Sequence, residues 1–583
     1  MADENICDVI VVGSGAGGLG TAVTAALKGL TVVVLEKAPV YGGTSAISGG
    51  GTWIPCNPVA KRAGLSDSRE AARSYFQHSA GNRFDAARVD AFLDKAPEMV
   101  TFLEQQAGLP FTVQPDRPDY HPDVPGASRG GRVIYAAPFD ARALGKEVAR
   151  LRPPLKELTL LGIMIRPGPD LKHFINVFRS FESFKVVTRR LLRHVRDVLT
   201  RGRSMDLGNG NALIARLATI AFGKGVEIRT SVDVRDLILE NGRVSGVKYE
   251  RADGTTGTLY ARRGVVLAAG GFPHDVARRK EVMSHAPTGH EHKSATVNSN
   301  TGDGIRMAER IGAVFNSDLS DAASWAPVSL VPQRGGKPVP FPHLIDRQKP
   351  GFIAVTRRGR RFVNESDSYH DFVRGLVKAS ANDPPPECFL IADHRTIRRY
   401  GIGCVKPAPV PMFHHVRSGY LMRGNTLAEL AQQAGIEAEG FLHTVEEFNK
   451  HARLGNDPEF NRGGNSYNRY NGDALHKPNP CVAPIEVAPF YAVKIYAGDL
   501  GTFAGLKTDE HARVLDAAGQ PIAGLYAVGN DMSHIMSGEY MSGGTNLGPA
   551  LTFGYIAACD LAASTAVTTD GRDSAGTSPS PEK

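Results

Sequence analysis

Six cysteines are spread over 583 residues, and no two form a C-x-x-C pair. Cys7, Cys56, Cys388, Cys404, Cys481 and Cys559 are too scattered for a disulfide framework, an iron–sulfur cluster or a structural zinc site. No metal is therefore expected, and the cysteine usage suits a reducing, cytoplasmic location. No apolar run is long enough to span a bilayer. The opening Ala2-Asp-Glu-Asn5 is acidic and leads straight into an apolar run, unlike a secretory signal. No internal repeat is present. The basic stretches carry no recognition motif, so nucleic acid is not an expected partner.

Charge is unevenly spread. Net charge is +8, yet residues 150–203 hold thirteen Lys/Arg against four Asp/Glu, a local +9 that leaves the rest at −1. Within this segment Phe174, Phe178, Phe181, Val187, Leu191, Val195 and Val198 recur at helical spacing. Lys172, Arg179, Lys185, Arg189, Arg193 and Arg196 cover other faces. Such a helix either lies peripherally on an anionic membrane, at its inner face, or packs its apolar stripe on the parent domain.

The richest signal is N-terminal. Asp8-Val-Ile-Val-Val-Gly13-Ser14-Gly15-Ala16-Gly17-Gly18 is a β-branched run ending in G-x-G-x-x-G. A helical stretch and a second apolar run, Thr31–Leu35, follow, closed by Glu36. This order is the βαβ dinucleotide fingerprint. Gly13 permits the tight turn, Gly15 the approach of the pyrophosphate, and Gly18 helix–strand packing. The helix N-terminus then receives the anion.

A second loop of small residues narrows the choice of dinucleotide. Lys37 leads to Gly42-Gly43-Thr44-Ser45 and Ser48-Gly49-Gly50-Gly51. Backbone that must lie against a ribityl chain and isoalloxazine ring needs Gly, Ser and Thr, so the expected cofactor is FAD. The strand Val265–Ala269, with Gly270-Gly271, and the C-terminal Gly524–Gly529-Asn530 and Gly543-Gly544-Thr-Asn546-Leu547-Gly548 complete the expected binding set, together with Val232 and Asp303.

The predicted fold is α/β: a discontinuous Rossmann-type FAD-binding domain (1–330 and 500–566) with an α+β cap or catalytic domain (331–499). The helical insertion at 150–203 interrupts the first part, and 567–583 is a predicted disordered tail. Leu427–Arg453 reads as one helix with Thr426 as N-cap.

Arg360-Arg361-Phe-Val-Asn364-Glu365-Ser-Asp-Ser-Tyr369 resembles a signature of the fumarate reductase/succinate dehydrogenase flavoproteins. Soluble fumarate reductases carry an arginine proton donor where Tyr369 stands, so reduction of an unsaturated acid is demoted. Arg117-Pro-Asp119-Tyr120-His-Pro, Asn364-Glu-Ser-x-x-Tyr369 and Gly538-Glu-Tyr540-Met-Ser-Gly-Gly544-Thr together resemble the 3-ketosteroid Δ1-dehydrogenases. Gly498–Thr502 and Leu506–His511 do so too.

That resemblance implies a C1–C2 desaturase of 3-ketosteroids. Tyr540 and the Gly544 amide would hold the developing enolate, with Tyr369 as base and Tyr120 hydrogen-bonded to it. The β-hydride would go to flavin N5, and an external quinone-like or dye-like acceptor would reoxidise the flavin. One departure points elsewhere: Tyr540-Met-Ser542 resembles the 3-ketosteroid Δ4-(5α)-dehydrogenases, where the serine is the base. His121 also replaces a common second aromatic. A competing class is a flavin-bearing membrane carrier that docks through 150–203.

Overall fold

The computed structural model describes residues 5–159, 162–164, 173–174, 177 and 180–564. The expected tail, together with Lys172, Phe178 and Arg179, lies outside them.

The first βαβ unit runs β1 (Ile6–Val12), α1 (Ala16–Leu27), β2 (Val32–Glu36). β1 lies between β2 and the strand Thr256–Leu267, parallel to both. The sheet continues through Arg243–Arg251, Pro521–Ala527 and Arg513–Leu515 on one side and Glu227–Thr230 on the other. Val32–Glu36 is buried throughout, as a parallel strand covered on both faces must be. Pro521–Ala527 pairs parallel with Thr256–Leu267, so the C-terminal segment closes the sheet begun at residue 6.

Small residues let the two covering helices approach. α1 packs on the final helix, Leu547–Ala563. A Cβ on Gly20 would meet Leu551 Cδ2 at 2.9 Å, and one on Gly554 would meet the Gly17 carbonyl at 2.8 Å. Gly18 has the packing role read from the sequence, since its Cβ would stand 2.1 Å from the Gly13 carbonyl.

A second sheet forms the cap: Gly336–Pro342, Ala323–Gln333, Phe490–Thr502, Glu387–Asp393 and Phe352–Val355, in that order, with Lys293–Ser294 and Met422–Gly424 added on Phe490–Thr502. The limits expected at 330/331 and 499/500 therefore fall inside two of its strands. Each strand stays largely buried across its point. Leu427–Arg453 is two helices, Leu427–Ala434 and Ala438–Ala452. Gly435 ends the first in a left-handed conformation (φ 70°), while Thr426 caps it as expected, accepting from Glu429 N.

The basic segment contains α2 (Phe181–Arg201), capped by Ser180 and ended by left-handed Gly202. No helix among the described residues is long and apolar enough to cross a membrane.

Candidate active site

One continuous cleft runs along the C-terminal ends of β1 and β2 and under the cap. Of the expected cofactor residues it is lined by Gly13, Ser14, Gly15, Ala16, Gly17, Glu36, Lys37, Gly43, Thr44, Ser45, Ser48, Gly49, Gly50, Val232, Ala269, Gly270, Asp303, Gly529, Asn530, Asn546 and Leu547. Gly18, Gly271 and Gly548 are absent from the wall.

The wall fits a flat dinucleotide. A Cβ on Gly15 would meet no protein atom closer than 3.5 Å, and one on Gly49 none within 4 Å. Protein packing does not demand glycine there, so the freed space belongs to a ligand. The N-termini of α1 and of Leu547–Ala563 both open on the cleft; neither is capped by its own N-cap side chain, and at α1 Ala16 N donates to Ser45 Oγ at 3.0 Å. Such helix ends favour an anionic group.

Glu36 is pinned in place. Its Oε2 accepts from Ser14 Oγ at 2.5 Å and its Oε1 from Ala38 N at 2.8 Å, leaving lone pairs for a ribose hydroxyl. Lys37 pairs with Asp303 at 2.8 Å at the same end. Asp531 fixes the turn after Thr256–Leu267, accepting from Ala269 N and Gly271 N. Burial pushes this carboxyl up to about 6.

At the other end of the cleft three tyrosines meet. Tyr120, Tyr369 and Tyr540 form one buried cluster with Tyr467, Phe503 and Ala326. Tyr120 Oη donates to Tyr369 Oη at 3.1 Å. The Tyr369 and Tyr540 rings lie 5.0 Å apart, edge to face. Each phenol is pushed above its ordinary value by burial. For Tyr120 the neighbouring Arg117 guanidinium opposes that rise.

Local structure holds each tyrosine. Tyr369 is the first residue of α3 (Tyr369–Ala379), whose N-cap Ser368 accepts from Asp371 N. Asp371 also binds His121 Nε2 at 2.8 Å, which ties the Tyr120 loop to α3. Burial disfavours the His121 cation, but the Asp371 carboxylate outweighs it and raises the imidazole above its ordinary value. The residue that departs from the common aromatic thus becomes an ionic clamp.

Asp119 anchors the same loop from behind, accepting from Trp53 Nε1, Ser128 N and Arg132 Nη1. Tyr120 N and Tyr75 Oη both donate to the Met541 carbonyl, fixing the Tyr540 loop. In that loop Gly544 adopts φ 96°, and a Cβ would stand 2.6 Å from Gly51 C. Its carbonyl accepts from Trp53 N, while its own N–H has no protein acceptor among the described residues.

Ser542 is corrected. It is fully buried, its Oγ has no hydrogen-bond partner, and it does not line the cleft. Tyr540, Gly543 and Gly544 face the cleft, whereas Met541 and Ser542 pack behind it. Ser542 Oγ, expected as the base of the Δ4 alternative, therefore lies outside the lining of the cleft.

Tyr467, Asn471 and Arg117 are among the lining residues that had no assigned role in the sequence reading. Tyr467 and Asn471 come from an Asn/Gly/Tyr-rich stretch that reads as loop, yet Tyr467 is buried with its ring 4.6 Å from Tyr120. Arg117 stands in the Tyr120 motif. Its Nη1 donates to Tyr135 Oη at 2.5 Å, and it makes no ion pair among the described residues. A Cβ on Gly543 would meet Arg117 Nη2 at 2.3 Å and Tyr120 Oη at 3.0 Å, so the guanidinium lies against the reacting end.

A family model described as an FAD binding domain matches residues 8–547. The chain belongs to that family. Its cofactor is FAD, and its fold is that of the fumarate reductase-like flavoproteins. It is 41% identical to 4-oxocyclohex-2-ene-1-carboxylate 5-dehydrogenase of Sinomonas cyclohexanicum, over 97% of this chain and 95% of that one. It is 39% identical to 3-oxosteroid 1-dehydrogenase of Mycobacterium tuberculosis, over 95% and 98% respectively. The 3-ketosteroid Δ1-dehydrogenase of Sterolibacterium denitrificans, solved with 1,4-androstadiene-3,17-dione, superposes with a TM-score of 0.88 at 37% identity, covering 96% of this chain and all of that one.

Proposed function

We propose that the chain desaturates a cyclic ketone beside its carbonyl, and that the ketone is a 3-ketosteroid opened at C1–C2. The observation that carries this reading is the convergence of Tyr120, Tyr369 and Tyr540 beside the free Gly544 amide at one end of the FAD cleft. Removing an α-proton leaves an enolate, and two donors aimed at its oxygen, Tyr540 Oη and Gly544 N–H, are what that charge requires. Tyr369 takes the proton. Tyr120 shares its charge, with Arg117 as the nearby cation. Bound FAD supplies the hydride acceptor. The electrons then pass to an external acceptor of the quinone class, which places turnover at or near a membrane. The test is product identity: 4-androstene-3,17-dione should give the 1,4-diene. Conversion only of a 5α-saturated steroid to its 4-ene would replace this reading.

Arg117 favours a second substrate. Among the described residues, apart from the Glu36–Lys37 and Asp233–Asp303 group at the ribose end, it is the one charged side chain lining the cleft. A guanidinium held without a carboxylate is costly, and an anion arriving with the substrate offsets that cost. A single-ring keto acid, such as the one named for the Sinomonas relative, brings that anion. Arg117→Gln separates the roles. If Arg117 binds a carboxylate, kcat/KM for 4-oxocyclohex-2-ene-1-carboxylate falls about a hundredfold while steroid turnover holds. If Arg117 serves only the phenol pair, both substrates slow together.

A further inference from the structure

α2 is turned inside out. Its domain-facing side is Ser183, Val187, Arg190, His194 and Asp197, spaced 4, 3, 4 and 3 residues apart. This side is held mainly by polar bonds. Asp197, fully buried, pairs with Arg142 and accepts from Met205 N, and Arg190 pairs with Asp206. The apolar stripe points the other way. Phe181 is 72% exposed, Leu192 67% and Leu199 80%, with Phe184 and Val195 about half exposed between them. All five fall on one helical face. Of the stripe read from the sequence, Phe181 and Val195 lie on this exposed face, whereas Val187 is buried against the domain.

Burying the ionic side of a helix and exposing its apolar side is unfavourable in water alone. The charges beside the stripe indicate what covers it. Lys185, Arg189, Arg193, Arg196 and Arg201 are exposed on α2, and Glu182 is its only exposed acid. Lys185 folds over the Phe181 ring at 4.6 Å, so cation and apolar surface sit together. A protein partner needs shaped complementarity. A surface of lipid with anionic headgroups needs only an apolar stripe flanked by cations.

We infer that α2 docks the protein on an anionic lipid bilayer, lying in the interface with Phe181, Phe184, Leu192, Val195 and Leu199 inserted and its lysine and arginines on the headgroups. The cleft has an apolar lip nearby in the chain: Leu155 and Leu158 line it, and Leu158 is itself exposed. Gly162 packs against His194 on α2, linking lip and helix. This inference does not depend on which ketone is the substrate.

The test is co-sedimentation of the full-length holoenzyme with vesicles. Phosphatidylcholine vesicles containing phosphatidylglycerol should carry it down, and pure phosphatidylcholine should not. A variant with Phe181, Phe184, Leu192 and Leu199 all changed to Ser should lose at least about tenfold in vesicle affinity. Its turnover of a water-soluble cyclic ketone and its flavin content should be unchanged. Changing Lys185, Arg189 and Arg196 to Gln should weaken binding and remove its salt dependence. No sedimentation of the wild type overturns the inference. So does a wild-type dimer that the serine variant converts to monomer, which would make the stripe an interface between two copies of this chain.

Discussion

A phenol buried among other phenols is a poor base until something shares its charge. Burial raises Tyr369, Tyr540 and Tyr120 alike, and the Arg117 guanidinium is set against that rise at Tyr120 and Tyr540. The sign of the pH dependence follows. With its pKa raised above the reference value of about 10, the base is protonated at neutral pH, and the active fraction grows as pH rises. Flavin reduction by substrate should therefore accelerate by up to about tenfold per pH unit between about 7 and 9. A rate that levels off near pH 5 would assign proton removal to a carboxylate. Tyr540→Phe removes one proposed enolate donor and should slow the same step by about 10²- to 10³-fold with little change in substrate affinity. These residues were legible because they stand in three motifs of fixed composition. Ser542 misled because a motif gives residue type without direction, and one step along a loop reverses which side a residue faces.

At the scale of elements, the site is an agreement between a loop, a helix N-terminus and a glycine turn. Asp119 is the joint: one buried carboxylate holds Trp53, Ser128 and Arg132, and Arg132 reaches on to Asp67. Asp119→Asn leaves Arg132 with an incomplete partner in a buried setting. It should destabilise the protein by about 3 kcal/mol, read as a lower denaturant midpoint at unchanged slope. Tyr120 should lose its placement with it. βαβ order, the parallel partners of β1 and the return of the C-terminal strand were all readable from apolar runs and glycines. The break at Gly435 was not, because Leu430, Phe441 and Val445 keep a helical repeat across it. The reversed orientation of α2 was also hidden, since periodicity shows that a helix has two faces and cannot say which one is bonded to the domain.

At the scale of the molecule, the two sheets divide the labour. The first holds the dinucleotide against β1 and α1. The cap contributes Tyr369 and Tyr467, and the C-terminal return contributes Tyr540 and Gly544, so the reacting end forms only when three distant stretches of chain come together. No single stretch contains both the proposed base and the proposed enolate donors, which is why this grouping was visible in sequence only through joint resemblance. Tyr467 and Asn471 had no such pattern and became visible only as neighbours in space, while Arg117 stood in the Tyr120 motif without an assigned role.

The most direct test is to mix the FAD-loaded protein anaerobically with 4-androstene-3,17-dione and follow the flavin absorbance, in the wild type and in Tyr369→Phe. Rapid bleaching of the wild type, slowed by about 10²-fold or more in the variant, is the predicted result. Equal bleaching of both proteins would contradict the assignment of Tyr369 as the base. No bleaching of the wild type by this steroid, but bleaching by the single-ring keto acid, would keep the chemistry and transfer the substrate to the one Arg117 favours.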